Sequence, residues 1–317
     1  MPLTPPEPFD SATVVGVDLG GTKIRAAQAN RRGMVLAELI EPTDPQGGDR
    51  LVGQIVDIIA VLCEQSGAPL ASIAVTAVGG AGTASAERGT LELAPNLGPT
   101  GAVSLRRELQ SALGHTVVLE NDVNAAALGE LHFGAVRRDN FVFIAVGTGI
   151  GMGVIVDGRL LRGSRGAAGE ISFLPFGADA LDPSTHARGP LEEATAGSFI
   201  VDRYVKATRA MVSALDVFDR AAAGDAEASR ILGDLAQNIA RAIVAVVAVL
   251  DPGEVVLGGG IGGRADLLAP IQQWVARFGQ PAVKVSTSEL GVRATVIGAI
   301  VLANNEANRL AAEGTSA

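Results

Sequence analysis

Apolar and polar positions alternate along this chain in a way that predicts short strands separated by glycine-rich turns. The stretch TVVGVDLGGTKIRAAQAN (13–30) indicates a strand, a glycine turn and a second strand. The stretch FVFIAVGTGIGMGVIVDGRLLRG (141–163) repeats this order and adds a hairpin. This duplication predicts two related α/β halves that face each other across a cleft, which is a common position for a ligand.

Between and after these two copies, the spacing of apolar residues changes to a helical period. We expect helices over 51–65, 105–114, 190–217, 224–250 and 296–312, one more from about residue 123, and further strands over 72–80 and 282–287. Mixed strands and helices of this kind indicate an α/β fold. We expect a flexible tail (1–12), an N-terminal α/β domain (13–120) that also takes a C-terminal helix (about 299–317), and a C-terminal α/β domain (121–298).

The composition narrows the class of protein. The formal net charge of −9 argues against a nucleic-acid partner, because the protein surfaces that bind nucleic acids are basic. The single cysteine, Cys63, excludes an intrachain disulfide and a CxxC metal site. The start of the chain, MPLTPPEPFD, lacks the features of a signal peptide, and the most apolar stretch, Ala242–Leu250, is too short to cross a bilayer. We therefore expect a cytoplasmic protein with no membrane partner.

Three glycine-rich turns are candidate sites for phosphate or nucleotide. In DLGGTK (18–23) and GTGIGMG (147–153), glycines let backbone N–H groups converge on an anion, and Thr22 and Thr148 add hydroxyl groups. Asp18 is placed at a strand end, where it can orient water on a metal ion. The alternative is that these turns are plain β-hairpins.

The third turn, GGGIGG (258–263), contains the GxGxxG spacing of dinucleotide-binding proteins. It lies near the end of the chain, and the next predicted strand ends without an acidic residue that could bind a ribose. An NAD-dependent dehydrogenase is therefore a weak alternative. The glycines either allow an adenosine to approach the backbone or allow a strand and a helix to pack tightly.

The best catalytic candidate is a carboxylate at a strand end. In LENDVNAAALGE (119–130), Glu120, Asn121 and Asp122 end a predicted strand and begin a helix. One interpretation is that Asp122 simply caps that helix. The other is that Asp122 is a general base for a hydroxyl group, as phosphoryl transfer requires. The three histidines do not lie at metal-ligand spacing, and the chain has no GxSxG motif of the hydrolases.

With these motifs placed, the chain resembles the ROK family of bacterial sugar kinases and related repressors. The matching segments include VVGVDLGGTKIRAA, LENDVNAAALGE, GAAGEI, LEEATAG and DPGEVVLGGGIG, and they run in family order over about residues 13–300. The resemblance implies two ribonuclease H-like domains of the actin/hexokinase type with a cleft between them. It also implies transfer of phosphate from ATP, with Mg²⁺, to the 6-hydroxyl of a hexose, with glucose as the first candidate; polyphosphate stays open as the donor.

The resemblance also assigns roles to residues. Asp122 would accept the proton of the sugar hydroxyl, and with it the sugar would be held by Asn96, Asn121, Glu170 and Glu192. The first phosphate loop would be Asp18, Gly20, Gly21, Thr22 and Lys23, the second Gly147, Thr148 and Gly149, and the adenosine contact Gly258, Gly259 and Gly260. No metal site made of protein groups alone is expected, because Mg²⁺ would arrive with ATP, with Asp18 as its candidate contact.

Two departures from the family pattern lie around Glu170. Family kinases usually follow Gly-Glu-Ile with Gly-His, and that histidine contacts the sugar and binds zinc, whereas Ser172 and Phe173 take these positions here. The family's cysteine-rich zinc segment is replaced by GADALDPSTHARGPLEEATAG (177–197), which has no cysteine. We therefore expect no structural zinc, and we predict that Phe173 and its neighbours pack hydrophobically and so hold Glu170 in place.

Two functions from different classes fit these features. The first is a hexose kinase, which the intact phosphate loops and Asp122 favour. The second is a non-catalytic sugar-binding regulator, which the lost histidine and zinc segment suggest. Family repressors carry a helix-turn-helix before the first strand, where this chain has about a dozen residues, so DNA binding by that route is not expected. Because the family usually forms dimers, we also expect a homodimer.

Overall fold

The computed structural model describes residues 12–85, 90–92 and 105–314, and these divide into two compact units. The first unit comprises the residues up to Gly134, the segment Arg162–Ala167 and the residues from Arg293 onward. The second unit comprises Ala135–Leu161 and Ala168–Val292. The expected tail, apart from residue 12, and the candidate sugar ligand Asn96 lie outside the described residues.

A five-stranded sheet forms the centre of the first unit. Its strands, in spatial order, are β3 (Val35–Pro42), β2 (Lys23–Asn30), β1 (Thr13–Leu19), β4 (Ile73–Gly80) and β7 (Thr116–Asn121). The pairs β3–β2 and β2–β1 are antiparallel, and the pairs β1–β4 and β4–β7 are parallel. A separate two-stranded sheet pairs β5 (Thr83–Ser85) with β6 (Thr90–Glu92).

Helices with regularly spaced apolar residues cover this sheet. Helix α1 (Gly48–Ser66) buries Leu51, Ile55, Ile58, Ile59 and Leu62, and α2 (Leu105–Leu113) buries a leucine at every fourth position. Both stripes join the apolar core that includes β1 and β2, as expected for amphipathic helices packed on a sheet.

The first unit extends past the boundary expected at residue 120. Helix α3 (Asp122–Phe133) belongs to it because it packs closely on the last helix, α9 (Ala294–Gly314). A Cβ atom at Gly298 of α9 would collide with the carbonyl oxygen of Ala125 of α3. Helix α9 also lies against β1, where a Cβ atom at Gly16 would be 2.6 Å from the carbonyl oxygen of Val296.

The second unit repeats the sheet of the first. Its strands, in spatial order, are β10 (Arg159–Leu160), β9 (Ile150–Val156), β8 (Phe141–Val146), β11 (Val255–Gly258) and β12 (Val285–Thr287). Again the first two pairs are antiparallel and the last two are parallel. The duplicated pattern of strand, glycine turn and strand in the sequence therefore corresponds to two sheets of the same topology.

The helices of the second unit are α4 (Glu192–Thr195), α5 (Gly197–Thr208), α6 (Ala214–Ala222), α7 (Ala226–Leu250) and α8 (Ala265–Arg277). The single helix expected over 190–217 is wrong, because three helices share this region. Ala196 is extended, Arg209 ends α5 in the left-handed conformation, and Ser213 starts α6 with a capping box to Asp216. These three residues break the helix, although the apolar residues keep a helical spacing across the region.

One described helix, α7, is long and apolar enough to cross a membrane by length and composition alone. Half of its most apolar window is buried inside the protein, and the core helices of soluble proteins pass the same test. Its buried residues, such as Ile231, Leu235, Ile239 and Ile243, recur every four positions and pack in the core of the second unit. The segment Ala242–Leu250 is thus the last part of a longer helix.

Candidate functional site

The carboxyl ends of three parallel strands lie side by side at one edge of the first sheet. Leu19 of β1 is paired with Gly80 of β4, and Gly80 is paired with Asn121 of β7. Asp18 therefore lies at the same edge as Asp122, which follows β7 directly and begins α3. In open α/β sheets this edge is where ligands bind.

The sequence left open whether Asp122 caps α3, and the structure assigns that role to Asn121. The side-chain oxygen of Asn121 accepts hydrogen bonds from the backbone N–H groups of Val123 and Asn124, each at 2.9 Å. Its side-chain nitrogen donates to the carbonyl of Gly82 at 3.0 Å. Asp122 itself accepts from the N–H of Val123, at 2.9 Å. Because Asn121 caps the helix, the carboxylate of Asp122 is not required for that purpose.

The two carboxylates at this edge have perturbed proton affinities. Burial, and then the negative charge of Asp122, raise the pKa of Asp18 to about 7, although the positive charges of Arg25 and Lys23 act in the opposite direction. Burial also raises the pKa of Asp122, against the hydrogen bonds that its carboxylate accepts from the backbone. Paired carboxyl groups with raised pKa values are typical of sites that move protons or hold a cation.

The first glycine loop is a tight hairpin between β1 and β2. Within it the N–H of Gly20 donates to the carbonyl of Lys23 at 3.1 Å. Thr43, just after β3, fixes the loop from one side: its hydroxyl donates to the carbonyl of Gly20 at 2.6 Å and its N–H donates to the carbonyl of Thr22 at 3.1 Å. Gly21, Thr22 and Lys23 are exposed to solvent. The loop is therefore a hairpin, and it also presents polar groups outward.

The second glycine loop, Gly147–Gly149, is the corresponding hairpin of the second unit, between β8 and β9. The N–H of Gly147 donates to the carbonyl of Gly149 at 2.9 Å, and the carbonyl of Gly147 accepts from the N–H of Gly197, the first residue of α5, at 2.8 Å. Thr148 is exposed. A Cβ atom at Gly147 would lie 3.9 Å from the backbone nitrogen of Gly260, so this loop adjoins the turn after β11.

The glycines of that turn do not all have the same reason to be glycine. A Cβ atom at Gly258 would collide with the ring of Phe143, and one at Gly259, which has a φ of 79°, would collide with the carbonyl of Val146. At Gly260 a Cβ atom would meet nothing within 4 Å. Tight packing therefore accounts for the first two glycines, whereas Gly260 borders open space next to the second loop.

Glu192 helps to hold the second loop in place through hydrogen bonds. One oxygen of its carboxylate accepts from the backbone N–H of Ile150 at 3.1 Å, and the other accepts from Nε of Arg188 at 3.0 Å. Arg188 also donates from Nη2 to the carbonyl of Thr148 at 3.3 Å. The expected sugar ligand Glu192 is thus bonded next to the second glycine loop, an arrangement that the sequence does not indicate.

Comparison with known proteins agrees with these features. The model of the ROK family matches residues 14–306. The chain belongs to the ROK family. It is 35% identical over 297 residues to the bifunctional enzyme NanE/NanK of Brucella melitensis, covering 92% of this chain and 54% of the relative, so the chain spans about half the length of that enzyme. It is 30% identical to the glucokinase of Thermotoga maritima, covering 90% of this chain and 95% of the relative.

The fold of this ROK protein is that of the actin/hexokinase group. A ROK glucokinase from Streptomyces griseus, solved with glucose and AMPPNP, superposes with a TM-score of 0.77 at 28% identity, covering 93% of this chain and all of the other. The two sheets of equal topology match the two ribonuclease H-like domains that the family resemblance implies.

The prediction is wrong for Phe173 itself in this ROK protein, whereas its neighbours Ile171, Leu174 and Phe176 pack in or against the apolar core of the second unit. Phe173 is 46% exposed, whereas Ile171 and Ser172 are buried, at 6% and 5%. All three lie in the 3₁₀ turn Ile171–Phe173, which directs its first residue inward and its last residue outward. Glu170 precedes this turn and is placed by the backbone of Gly169, whose carbonyl accepts from the N–H of Met152 in β9 at 3.1 Å. Gly169 has a φ of 93°, and a Cβ atom there would collide with the carbonyl of Met152.

The segment that stands in place of the family's zinc segment is held by hydrogen bonds. Asp182 caps a short 3₁₀ turn by accepting from the N–H of Ser184 at 2.9 Å, and the Thr185 hydroxyl donates to the carbonyl of Asp179 at 3.0 Å. The N–H of Gly189 donates to the carbonyl of Thr185 at 2.8 Å. No group of three or more His, Cys, Asp and Glu side chains in the described parts of the chain could hold a metal ion. The expectation that the protein needs no structural zinc stays a prediction.

Sequence reasoning missed two arginines that organise these residues. Arg188 fastens the second loop, as described above. In the first unit, Nε of Arg162 donates to Glu120 at 2.7 Å, and the same buried carboxylate accepts from the N–H of Asn121 and from Nδ2 of Asn124, both at 3.0 Å. Glu120 thus supports the residues on either side of Asp122. Both arginines lie in stretches that the sequence singled out, but only the position of its partner in the fold shows the role of each.

Proposed function

We propose that the protein is an ATP-dependent kinase that phosphorylates the 6-hydroxyl of a hexose, either glucose or a close relative. The observation that carries this proposal is Asp122, a carboxylate with a raised pKa at the ligand-binding edge of the first sheet. Its neighbour Asn121 caps the helix, so Asp122 needs another explanation. A general base for the accepting hydroxyl is the role that this chemistry requires.

The raised pKa supports this role in a specific way. A carboxylate with an ordinary pKa is a weak base toward a sugar hydroxyl, and burial makes the carboxylate of Asp122 more basic. Asn121 and Glu120 fix the start of α3 through their hydrogen bonds, and so keep Asp122 in one position. A base held in this way accepts the proton as the hydroxyl oxygen attacks phosphorus, and the oxygen is then the stronger nucleophile.

The donor side of the proposal rests on the second unit. The Gly147–Gly149 loop and the open space at Gly260 adjoin each other at the carboxyl ends of the parallel strands β8 and β11. We propose that the loop binds the phosphates of ATP and that the adenosine lies along Gly258–Gly260. The Streptomyces griseus relative was solved with AMPPNP, an ATP analogue, which supports ATP over polyphosphate.

The residues around Asp18 fit a requirement for Mg²⁺. The charges of Asp18 and Asp122 repel each other, and a divalent cation near Asp18 would relieve this repulsion and favour the ionised carboxyl group. Mg²⁺ bound with ATP would supply charge stabilisation for the transferred phosphoryl group. We propose that Asp18 and the loop Gly20–Lys23 form the part of the protein that faces this cation and the phosphates.

For the sugar we propose the ligands Asn96, Asn121, Glu170 and Glu192. Asn121 has one side-chain N–H beyond the one that it donates to Gly82, and this group can donate to a sugar oxygen. Glu170 lies between Gly169, which is bonded to β9, and the turn Ile171–Phe173, whose first two residues are buried. Glu192 can accept from a sugar hydroxyl in addition to its bonds with Ile150 and Arg188, because a carboxylate has about four acceptor sites.

The experiment that tests this function is a panel of hexoses assayed for phosphorylation with ATP and, separately, with polyphosphate. The panel should contain glucose, mannose, and their 2-acetamido forms, because these four sugars differ only at carbon 2 while keeping the 6-hydroxyl. We expect turnover of at least one hexose with ATP, and none with the matching 6-deoxy sugar. Absence of turnover across the panel with both donors would contradict the proposal.

A non-catalytic sugar-binding regulator is the second candidate. It is favoured by Glu192, which is already engaged by two protein donors, and by the absence of the family histidine at Ser172 and Phe173. This candidate predicts saturable hexose binding in calorimetry together with no phosphorylation in the same panel. Binding and turnover of one and the same sugar would exclude it.

We also propose that the protein works in the cytoplasm as a homodimer. These two proposals rest on the acidic, cysteine-poor composition and on the habits of the family. Light scattering after size-exclusion chromatography tests the dimer, since the monomer mass is 32.2 kDa. A single species of that mass at micromolar concentration would contradict it.

A further inference from the structure

The loop Gly147–Gly149 has two carbonyl groups that are turned toward protein donors. The carbonyl of Gly147 accepts from the backbone N–H of Gly197 at 2.8 Å. The carbonyl of Thr148 accepts from Nη2 of Arg188 at 3.3 Å. The first donor belongs to the backbone of α5, whereas the second is a side chain from the segment before α4.

These two bonds fix the direction of two N–H groups. In a trans peptide unit the C=O of one residue and the N–H of the next point in opposite directions. Holding the carbonyl of Gly147 toward α5 therefore directs the N–H of Thr148 away from it, and holding the carbonyl of Thr148 toward Arg188 directs the N–H of Gly149 away from the arginine. No described residue accepts a hydrogen bond from either N–H group. Both groups are thus available to an anion.

The remaining polar groups of the loop are satisfied by the protein. The N–H of Gly147 donates to the carbonyl of Gly149, and the N–H of Ile150 donates to Glu192, which in turn accepts from Nε of Arg188. Arg188 therefore acts on the loop twice, directly through Thr148 and indirectly by orienting the carboxylate of Glu192. A Cβ atom at Gly149 would collide with that carboxylate, so the loop and the ion pair are in close contact.

We propose that Arg188 is a positioning residue for the phosphoryl donor: it turns the Thr148–Gly149 peptide so that the loop presents its N–H groups to the phosphates of a nucleoside triphosphate. The inference rests on the proposed function for the identity of this donor. Backbone N–H groups that converge in a glycine loop are a common phosphate-binding device. The guanidinium of Arg188 suits the role because its planar array of donors bonds two acceptors in a fixed relation.

The ion pair is not expected to be important for the stability of the whole unit. The side chain of Arg188 is 40% exposed, and exposed ion pairs contribute little to folding. Loss of Arg188 should therefore change the loop rather than the fold. Arg230, on α7, is a matched control because its side chain is 50% exposed and also forms ion pairs, with Glu227 and Asp234, away from the loop.

The test is calorimetric binding of Mg²⁺–AMPPNP to wild type, Arg188→Ala, Arg188→Lys and Arg230→Ala, without sugar. We expect Arg188→Ala to raise the Kd about tenfold or more, Arg230→Ala to leave it within twofold, and Arg188→Lys to restore part of the affinity, because one ammonium group cannot hold both partners as the guanidinium does. Equal Kd values for wild type and Arg188→Ala overturn the inference.

Thermal unfolding of the same variants separates positioning from a structural role. We expect Arg188→Ala and Arg230→Ala to unfold within about two degrees of wild type. If Arg188→Ala unfolds much earlier, Arg188→Lys decides: a stable Lys variant with intermediate Kd supports positioning, and a stable Lys variant with wild-type Kd overturns it. The binding measurement does not require turnover. If no hexose in the panel is phosphorylated, the proposed kinase function is refuted, but the effect of Arg188 on nucleotide binding can still be measured.

Discussion

The two glycine loops occupy equivalent places in two sheets of the same topology, yet different groups hold them. The first loop is fastened by Thr43, a neutral residue at the end of the adjacent strand, through one hydroxyl and one backbone N–H. The second is fastened by Arg188 and Glu192, an ion pair about forty residues further along the chain. The same local pattern is therefore held by a nearby neutral residue in the first unit and by a charged pair that is distant in sequence in the second unit.

This difference has a physical consequence. A hairpin held by neighbouring strands forms whenever its sheet forms. A hairpin held by a distant ion pair depends also on the packing of the segment that carries the pair, and its charges respond to salt and to bound anions. We therefore expect substitutions to disturb the second loop more easily than the first. In the first unit, the groups most sensitive to substitution should be the paired carboxylates Asp18 and Asp122 beside its loop.

The largest effect on stability is expected at Asp18. The pKa of Asp18 in the folded protein, about 7, lies above the ordinary value of 3.8. This group therefore costs no stability below pH 3.8, and the free energy of unfolding falls as the pH rises toward 7. Asp18→Asn removes this cost and should be roughly 2–4 kcal/mol more stable than wild type at pH 8. Urea unfolding at pH 8 and pH 4 measures the difference.

The gain in the Asp18→Asn variant should shrink as the pH falls from 7 to 4, because wild-type Asp18 becomes protonated over that range. Asp57→Asn on the exposed side of α1 is the control and should show no such gain. A gain of equal size at both pH values would show that the buried charge at Asp18 is not its cause.

The next effect compares the loops directly through Gly149→Ala and Gly20→Ala. At Gly149 the new methyl group displaces the carboxylate of Glu192 and breaks its bond to Ile150. At Gly20 it would lie 2.9 Å from the backbone carbonyl of Lys23, so the hairpin of the first unit must shift, but the ion pair at the second loop is not touched. We expect Mg²⁺–AMPPNP affinity to fall about tenfold or more for Gly149→Ala and less for Gly20→Ala. A larger loss of affinity for Gly20→Ala than for Gly149→Ala would contradict the proposal that the loop held by Arg188 and Glu192 binds the phosphoryl donor.

A smaller effect is expected from the neutral anchor. Thr43→Val removes the hydroxyl that donates to Gly20 but keeps the backbone bond to Thr22. The loss of one hydrogen bond of this kind should lower the free energy of unfolding by about 1 kcal/mol. Thr43→Ser keeps the hydroxyl and serves as control in the same urea titration. An unchanged midpoint for Thr43→Val would show that the sheet alone holds the first loop.

The smallest effect on stability is expected at Gly260, where a methyl group meets nothing within 4 Å. Gly260→Ala should unfold within about 0.5 kcal/mol of wild type. Gly258→Ala, which collides with Phe143, should be clearly less stable. If Gly260 borders the nucleotide, its alanine variant should nevertheless bind Mg²⁺–AMPPNP more weakly, and a wild-type Kd would argue against that placement.

The sequence predicted most elements because their signals are local. The two glycine hairpins, the apolar stripe of α1 and the Asx-capped start of α3 each depend on residues within one turn or one strand. The exposed position of Phe173 could not be predicted, since it depends on which end of a three-residue turn packs inward. The engagement of Glu192 by Ile150 likewise joins residues 42 positions apart, which no periodic pattern reveals.

For Asp122, the sequence predicts the position of a candidate base but not its surroundings. Its place at a strand end identified it as the candidate base. Only the structure shows that Asn121 supplies the helix cap and that burial raises the pKa of Asp122. The role of helix cap therefore belongs to Asn121, and the role of general base stays a proposal for Asp122.

The most direct test of the account compares wild type and Asp122→Asn on the best hexose of the panel, with ADP release measured at saturating ATP. A general base contributes about 10²–10⁴-fold to such a reaction. The account predicts that kcat falls at least a hundredfold while the Kd of the hexose stays within about threefold. Equal turnover by the two proteins would contradict it.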